Sequence, residues 1–127
     1  MSLRSCLALS LLLPVCASAS QWDEINAIYQ SVKNEHITYS AHATPENAAA
    51  CIAAVKRVYS FRDPDSVRME EGNGMMEPMV MVYESGAVMM YIYLNAKNAY
   101  GGYEGYHMFQ CAQRPGGPMF AYTSEVH

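Results

Sequence analysis

The run Ala87-Val88-Met89-Met90-Tyr91-Ile92-Tyr93-Leu94 constrains the fold more than any other stretch of the chain. Successive side chains of a strand point to opposite faces, and here neither face is polar. Val88, Met90, Ile92 and Leu94 fall on one side, Met89, Tyr91 and Tyr93 on the other. Such a strand belongs in the centre of a sheet. Its aliphatic face requires a covering layer, whereas tyrosines carry polar tips and tolerate partial cover. Met79 to Tyr83 precedes it across Glu84-Ser85-Gly86, a short glycine-containing break, so the two runs are read as a hairpin.

The layer to cover that strand lies upstream. Trp22, Ile25, Ile28, Tyr29 and Val32 recur at helical spacing and predict an amphipathic helix from residue 21 to about 34, with Ser20 and Asp23 as a frayed capping box. Thr44-Pro45-Glu46 is a stronger start signal: an N-cap threonine, proline in the first turn and an acid against the dipole. The second helix, about 45 to 60, then sets Ala48, Cys51, Ile52, Val55, Val58 and Tyr59 on one face. Residues 35–43 between the helices show no clean period and are read as a connector. After Asp63-Pro64-Asp65-Ser66, Val67 to Glu70 reads as a short strand, and Glu71-Gly72-Asn73-Gly74 as a turn with a hairpin signal at Asn73-Gly74. Tyr106 to Ala112 is a further strand, Arg114 to Pro118 a break, and Met119 to Thr123 a short edge strand. The expectation is an α+β domain, with two N-terminal helices packed on one face of a four- or five-stranded antiparallel sheet.

Residues 1–19 are read as a signal peptide and kept out of the fold. Arg4 gives a basic start, Leu7 to Val15 an apolar run, and Ala17-Ser18-Ala19 a cleavage site of small residues. That run falls short of the roughly 20 apolar residues of a membrane span. Acylation of Cys16 is the competing reading, but Val15 is not the small residue such a site wants before its cysteine. Residues 20–127 are thus expected to be one exported domain, periplasmic or extracellular. Of the 4 cysteines only Cys51 and Cys111 belong to it. Two cysteines in an oxidising compartment most simply form one disulfide; two buried free thiols are the alternative. Twelve acidic residues against 8 basic ones leave a net charge of −4, with no basic cluster, so the chain has no electrostatic footprint for nucleic acid.

Between the central strand and the strand bearing Cys111 lies Asn95-Ala96-Lys97-Asn98-Ala99-Tyr100-Gly101-Gly102-Tyr103-Glu104-Gly105-Tyr106. Glycine, and next to it asparagine, is placed where a backbone must take positive φ or approach closely, so this is a shaped loop. It offers ligand-binding groups: the amides of Asn95 and Asn98, the ammonium of Lys97, and the rings of Tyr100, Tyr103 and Tyr106. An over-determined turn explains the glycines and asparagines equally well, leaving Lys97 and the tyrosines as side chains that a turn does not require.

This loop, taken with Asp63-Pro64-Asp65-Ser66-Val67-Arg68-Met69, resembles a family of small exported bacterial domains. Its members carry a helix, an Asp-Pro-x-Ser turn, a short strand, and Asn-Ala-Lys-Asn leading into Gly-Gly-Tyr-x-Gly-Tyr. The resemblance spans roughly residues 45 to 112 and implies the fold and the exported location, but no reaction. The family often has a Cys-Gly pair shortly before the second motif, where this chain has Tyr91-Ile92.

Two further constellations carry chemistry. Met75, Met76, Met79 and Met81 offer soft thioether ligands suited to Cu(I), with His36, His42, His107 and His127 as possible nitrogen donors. With 10 methionines in the chain, flexible core filling accounts for the same residues. Asp63 and Asp65 form a carboxylate pair, but a turn explains both, and no nucleophile and base pattern accompanies them. The expectation is a non-catalytic exported module without a cofactor or membrane span. It binds a protein partner or a small ligand through the Gly/Tyr loop and the tyrosine-bearing sheet face, with soft-metal binding as the alternative.

Overall fold

The computed structural model describes residues 21–71 and 77–123. Helix α1 (Gln21–Val32) is followed by β1 (Ile37–His42) and α2 (Pro45–Val58). A 3-10 turn (Pro64–Ser66) leads into β2 (Arg68–Met69), β3 (Met79–Tyr83), β4 (Val88–Asn95), β5 (His107–Gln113) and β6 (Met119–Tyr122). The strands form a single antiparallel sheet of order β1-β3-β4-β5-β6, with β2 also paired to β4. The α+β class is therefore as the sequence implied, and β4 is the central strand. It pairs along its whole length with β5, from Val88 opposite Gln113 to Leu94 opposite His107.

Each apolar face of β4 is met by its own helix. Met90, Ile92 and Leu94 pack with Phe109, Cys111 and Ala121 under Ala48, Cys51, Ala54 and Val55 of α2. Met89 packs with Ala87, Ala112 and Tyr83 under Ile25, Ile28 and Val32 of α1. This corrects the expectation that both helices share one face. A helix stripe records that one side must be buried, not which side of a sheet it will bury against.

The strand count is corrected as well, from four or five to six among the described residues. Residues read as a connector form β1, an edge strand paired with β3 through Tyr39 opposite Val82 and His42 opposite Met79. Its register shifts between Ile37 and Tyr39, and all of its residues except Ala41 are exposed. Without burial no side chain alternation is selected, and a bulge breaks what remains. The hairpin signal at Asn73-Gly74 falls on residues 72–76, outside the described residues. The strands that flank it do not pair with each other. β2 and β3 both run antiparallel to β4 on the same edge, β2 at Leu94 and Asn95 and β3 at Val88 to Tyr91, so they lie end to end. The Glu70 N–H donates to Tyr93 O at 2.9 Å, extending that line.

The start of α2 is set as its sequence predicts. The Asn47 N–H donates to Thr44 Oγ1 at 3.2 Å and the Thr44 N–H to Asn47 Oδ1 at 3.1 Å, a reciprocal cap with Pro45 just inside the helix. Cys51 and Cys111 are bonded, both fully buried, and join α2 to β5 across 60 residues of chain. Closing a loop of that length removes denatured-state entropy worth about 4 kcal/mol on the chain-entropy model. Replacing both cysteines with alanine should therefore lower unfolding free energy by roughly that amount. The fall is to be read from the urea midpoint of the variant against the oxidised protein.

Candidate functional site

The Gly/Tyr loop and the Asp63–Ser66 turn form one corner. Ser66 is its hub: its hydroxyl donates to Asp63 O at 2.7 Å and accepts the Lys97 N–H at 2.8 Å. Its carbonyl accepts the Tyr103 hydroxyl at 3.1 Å. Asn98 Oδ1 accepts two backbone N–H groups, from Tyr100 at 2.8 Å and Gly102 at 3.2 Å. Asn95 is 4% exposed, and its Oδ1 takes the Gly105 N–H at 3.0 Å. Gly101 and Gly105 have φ of +85° and +122°, values that side chains rarely adopt. Arg68 stacks its guanidinium 3.8 Å above the Tyr103 ring, and Lys97 Nζ lies 5.9 Å from the same ring.

These contacts sort the sequence-predicted residues. The amide oxygens of Asn95 and Asn98 hold the loop's own backbone. Tyr103 is fastened to Ser66 and Arg68, and Tyr106 is half-buried. Lys97 and the almost fully exposed Tyr100 project to solvent. Beside the loop is a cleft of about 70 Å³ between Phe61, Arg62, Lys97, Glu104 and His107. That is room for a few waters. Asp63 contributes its carbonyl to the turn while its side chain makes no cap bond, so the carboxylate is not a helix cap.

A larger concavity lies on the α1 face of the sheet. Tyr91 of β4 and Gln110 of β5 are cross-strand partners, flanked in the same row by Met79 of β3 and Tyr122 of β6. Tyr93 and Met108 form the next pair on this face. Above this floor α1 presents Trp22, Asn26 and Tyr29, positions separated by four and three residues and so aligned on one side of the helix. Trp22 and Tyr29 are each 45% exposed, and the Trp22 ring lies 5.0 Å from that of Tyr122 at 44°. The groove holds about 310 Å³ between Trp22, Asn26, Tyr29, Met89, Tyr91 and Gln110. A second space of about 260 Å³ adjoins it, sharing Trp22 and Gln110 and continuing past Met108 to Thr123. Among the described residues no Asp, Glu, Lys, Arg or His lines either space.

Sequence reasoning placed Trp22 and Tyr29 in the buried stripe of α1 and did not single out Asn26 or Gln110. The structure buries Ile25, Ile28 and Val32 and leaves the two aromatic residues on the border of the stripe. A polar Gln110 between the buried Phe109 and Cys111 was the available signal, since it marks a position facing away from the α2 core.

The methionines divide. Met79 and Met81 point to the same face two residues apart, and Met81 packs into the α1 core. Met79 stands opposite His42, whose Nε2 is 3.3 Å from Glu77 Oε1. Met75, Met76 and His127 lie outside the described residues. No group of three His, Cys, Asp or Glu side chains gathers for a metal among the described residues.

No protein-family model, curated protein or solved structure matches the chain. The functional reading therefore rests on geometry.

Two outcomes follow from this arrangement. Ser66→Ala removes a donor and an acceptor at once and should cost about 1–3 kcal/mol of stability, whereas Lys97→Ala, on the exposed rim, should stay within about 0.5 kcal/mol. Paired urea unfolding curves compare them. Tyr83, 7% exposed, has its phenol pushed above the ordinary value of 10.0, chiefly by burial and then by the nearby Tyr91, Tyr29 and Glu35. The folded state keeps this proton while the unfolded chain loses it. The stability present below pH 10 is therefore lost progressively as pH rises from there through the folded pKa. Tyr83→Phe should flatten that alkaline decline in a pH series of unfolding free energies.

Proposed function

We propose that this protein is an exported binding module whose site is the uncharged aromatic groove between α1 and the tyrosine-bearing face of the sheet. The observation that carries the reading is the co-location of Trp22, Tyr29 and Tyr91, with their rings partly exposed, around about 310 Å³ of open space. A partly exposed Trp or Tyr is ordinary taken singly; three of them around one concavity are what support the reading. Leaving them around a concavity, with two amides between them, matches the composition of ligand sites: mostly apolar walls and a few placed polar groups. These are groups that hold a ligand; the lining offers no carboxylate pair and no nucleophile with a neighbouring base among the described residues.

The Gly/Tyr loop takes a supporting part in this reading. It secures the end of β4 against the turn after α2, with Lys97 and Tyr100 as exposed side chains on a separate part of the surface. Export is supported by the leader-like N-terminal sequence and by the buried disulfide, a bond of oxidising compartments. No described helix is long and apolar enough to cross a membrane. The joining of Asp63–Ser66 and Asn95–Tyr106 in one corner supports grouping the chain with the small exported domains it resembles, and that assignment is part of the proposal.

A screen of small aromatic, polyol and amide fragments against isotope-labelled protein tests the site. Chemical-shift changes should cluster on the Trp22 indole N–H and the side-chain amides of Asn26 and Gln110. Changes centred on Lys97 and Tyr100 instead, or none in the groove, would remove the groove as the binding site.

A further inference from the structure

We infer that the ligand of this groove is a neutral oligosaccharide, lying along α1 and stacked on Trp22 and Tyr29; the inference rests on the groove being the binding site. Four observations narrow the chemistry. First, the described lining carries no charge. An anionic or cationic ligand would give up hydration there without gaining a counter-charge, a strongly unfavourable exchange. Second, the polar groups present are amides and phenols: Asn26, Gln110, Tyr29 and Tyr91. Each side chain offers both donor and acceptor capacity, as sugar hydroxyls do. A purely apolar ligand would cover these amides and leave them unpaired, which costs about 1–3 kcal/mol for each group.

Third, the stacking platforms are separate and one of them is fixed. Trp22 and Tyr29 are seven residues apart on one helix, about 10.5 Å along its axis. One monosaccharide ring does not reach across both, and a short chain does. Trp22 is held against Tyr122 with ring centroids 5.0 Å apart, so its position is set before binding. Fourth, the space is extended rather than closed. The two volumes of about 310 and 260 Å³ share Trp22 and Gln110 and run on past Met108. A polymer can enter sideways and continue beyond the contact residues.

The full mature chain is titrated with neutral trisaccharides of β-glucan, chitin, α-glucan, mannan and xylan type, with their monosaccharides, and with an oligogalacturonate trimer as the charged comparator. The neutral apolar dye N-phenyl-1-naphthylamine is the second comparator. Trp22 is the only tryptophan in the sequence, so its emission reports the groove directly. At least one neutral trisaccharide should give a saturable shift in that emission and bind about tenfold or more tightly than its monosaccharide, a difference of about 1.4 kcal/mol. The charged trimer should leave the emission unchanged. By calorimetry, Trp22→Ala and Gln110→Ala should each weaken the trisaccharide about tenfold, and Tyr29→Ala should bring it down to the monosaccharide's affinity. Should Trp22→Ala not fold, the exposed Asn26→Ala carries the comparison. Saturation of the groove by the dye with no response to any neutral sugar would overturn the saccharide inference while leaving the groove reading intact. Equal binding of the charged trimer would do the same. No response to sugars or dye would overturn both.

Discussion

Strand β4 is apolar on both faces, and most of the architecture follows from having to cover each of them. Its aliphatic side meets α2, where Cys51 is bonded to Cys111 in one buried cluster with Phe109 and Ile92. Its other side meets α1 only in part. Met89 and its neighbours Ala112 and Ala87 are buried, while Tyr91 and Tyr93 remain half-covered. Phenols satisfy this intermediate position because their rings lie on the sheet and their hydroxyls reach water. The groove is what is left where the cover stops. It lies on a layer boundary whose residues tolerate being partly wet.

The corner made by Asp63–Ser66 and Asn95–Tyr106 belongs to the same logic. A central strand that ends in a glycine-rich loop has to be held at that end, and here backbone N–H groups are taken up by two asparagine side chains and one serine. Each such bond contributes modestly, on the order of 1 kcal/mol. Together they define a single path for a loop that carries little apolar surface of its own.

Some of this was legible in the sequence, and the reasons differ by element. The α2 start was readable because Thr44, Pro45 and Glu46 act within one turn of chain, where local chemistry decides the outcome; the reciprocal bond from Asn47 was not singled out. The pairing of Cys51 with Cys111 followed from compartment and count. The loop's glycines marked its backbone correctly, whereas the engagement of its asparagine amide oxygens with that backbone was not readable, because one-dimensional sequence cannot tell an engaged amide oxygen from a free one. β1 escaped because exposure on both sides erases the alternation by which strands are recognised. The side of the sheet that α1 covers escaped because Ile25, Ile28 and Val32 would look the same on either side. The groove was hidden for a related reason: Trp22 and Tyr29 sit at the margin of that stripe, and only the packed helix shows which marginal residues remain open.

β2 and β3 are two pieces of one interrupted line along β4, each with its own register: Met69 against Leu94, Val80 against Met90. Each piece is therefore held to β4 by its own ladder bonds, and the register of one does not depend on that of the other. Loss of the short pairing at Met69 would leave Val80 in place against Met90, and with it the part of β4 that carries Tyr91 into the aromatic groove.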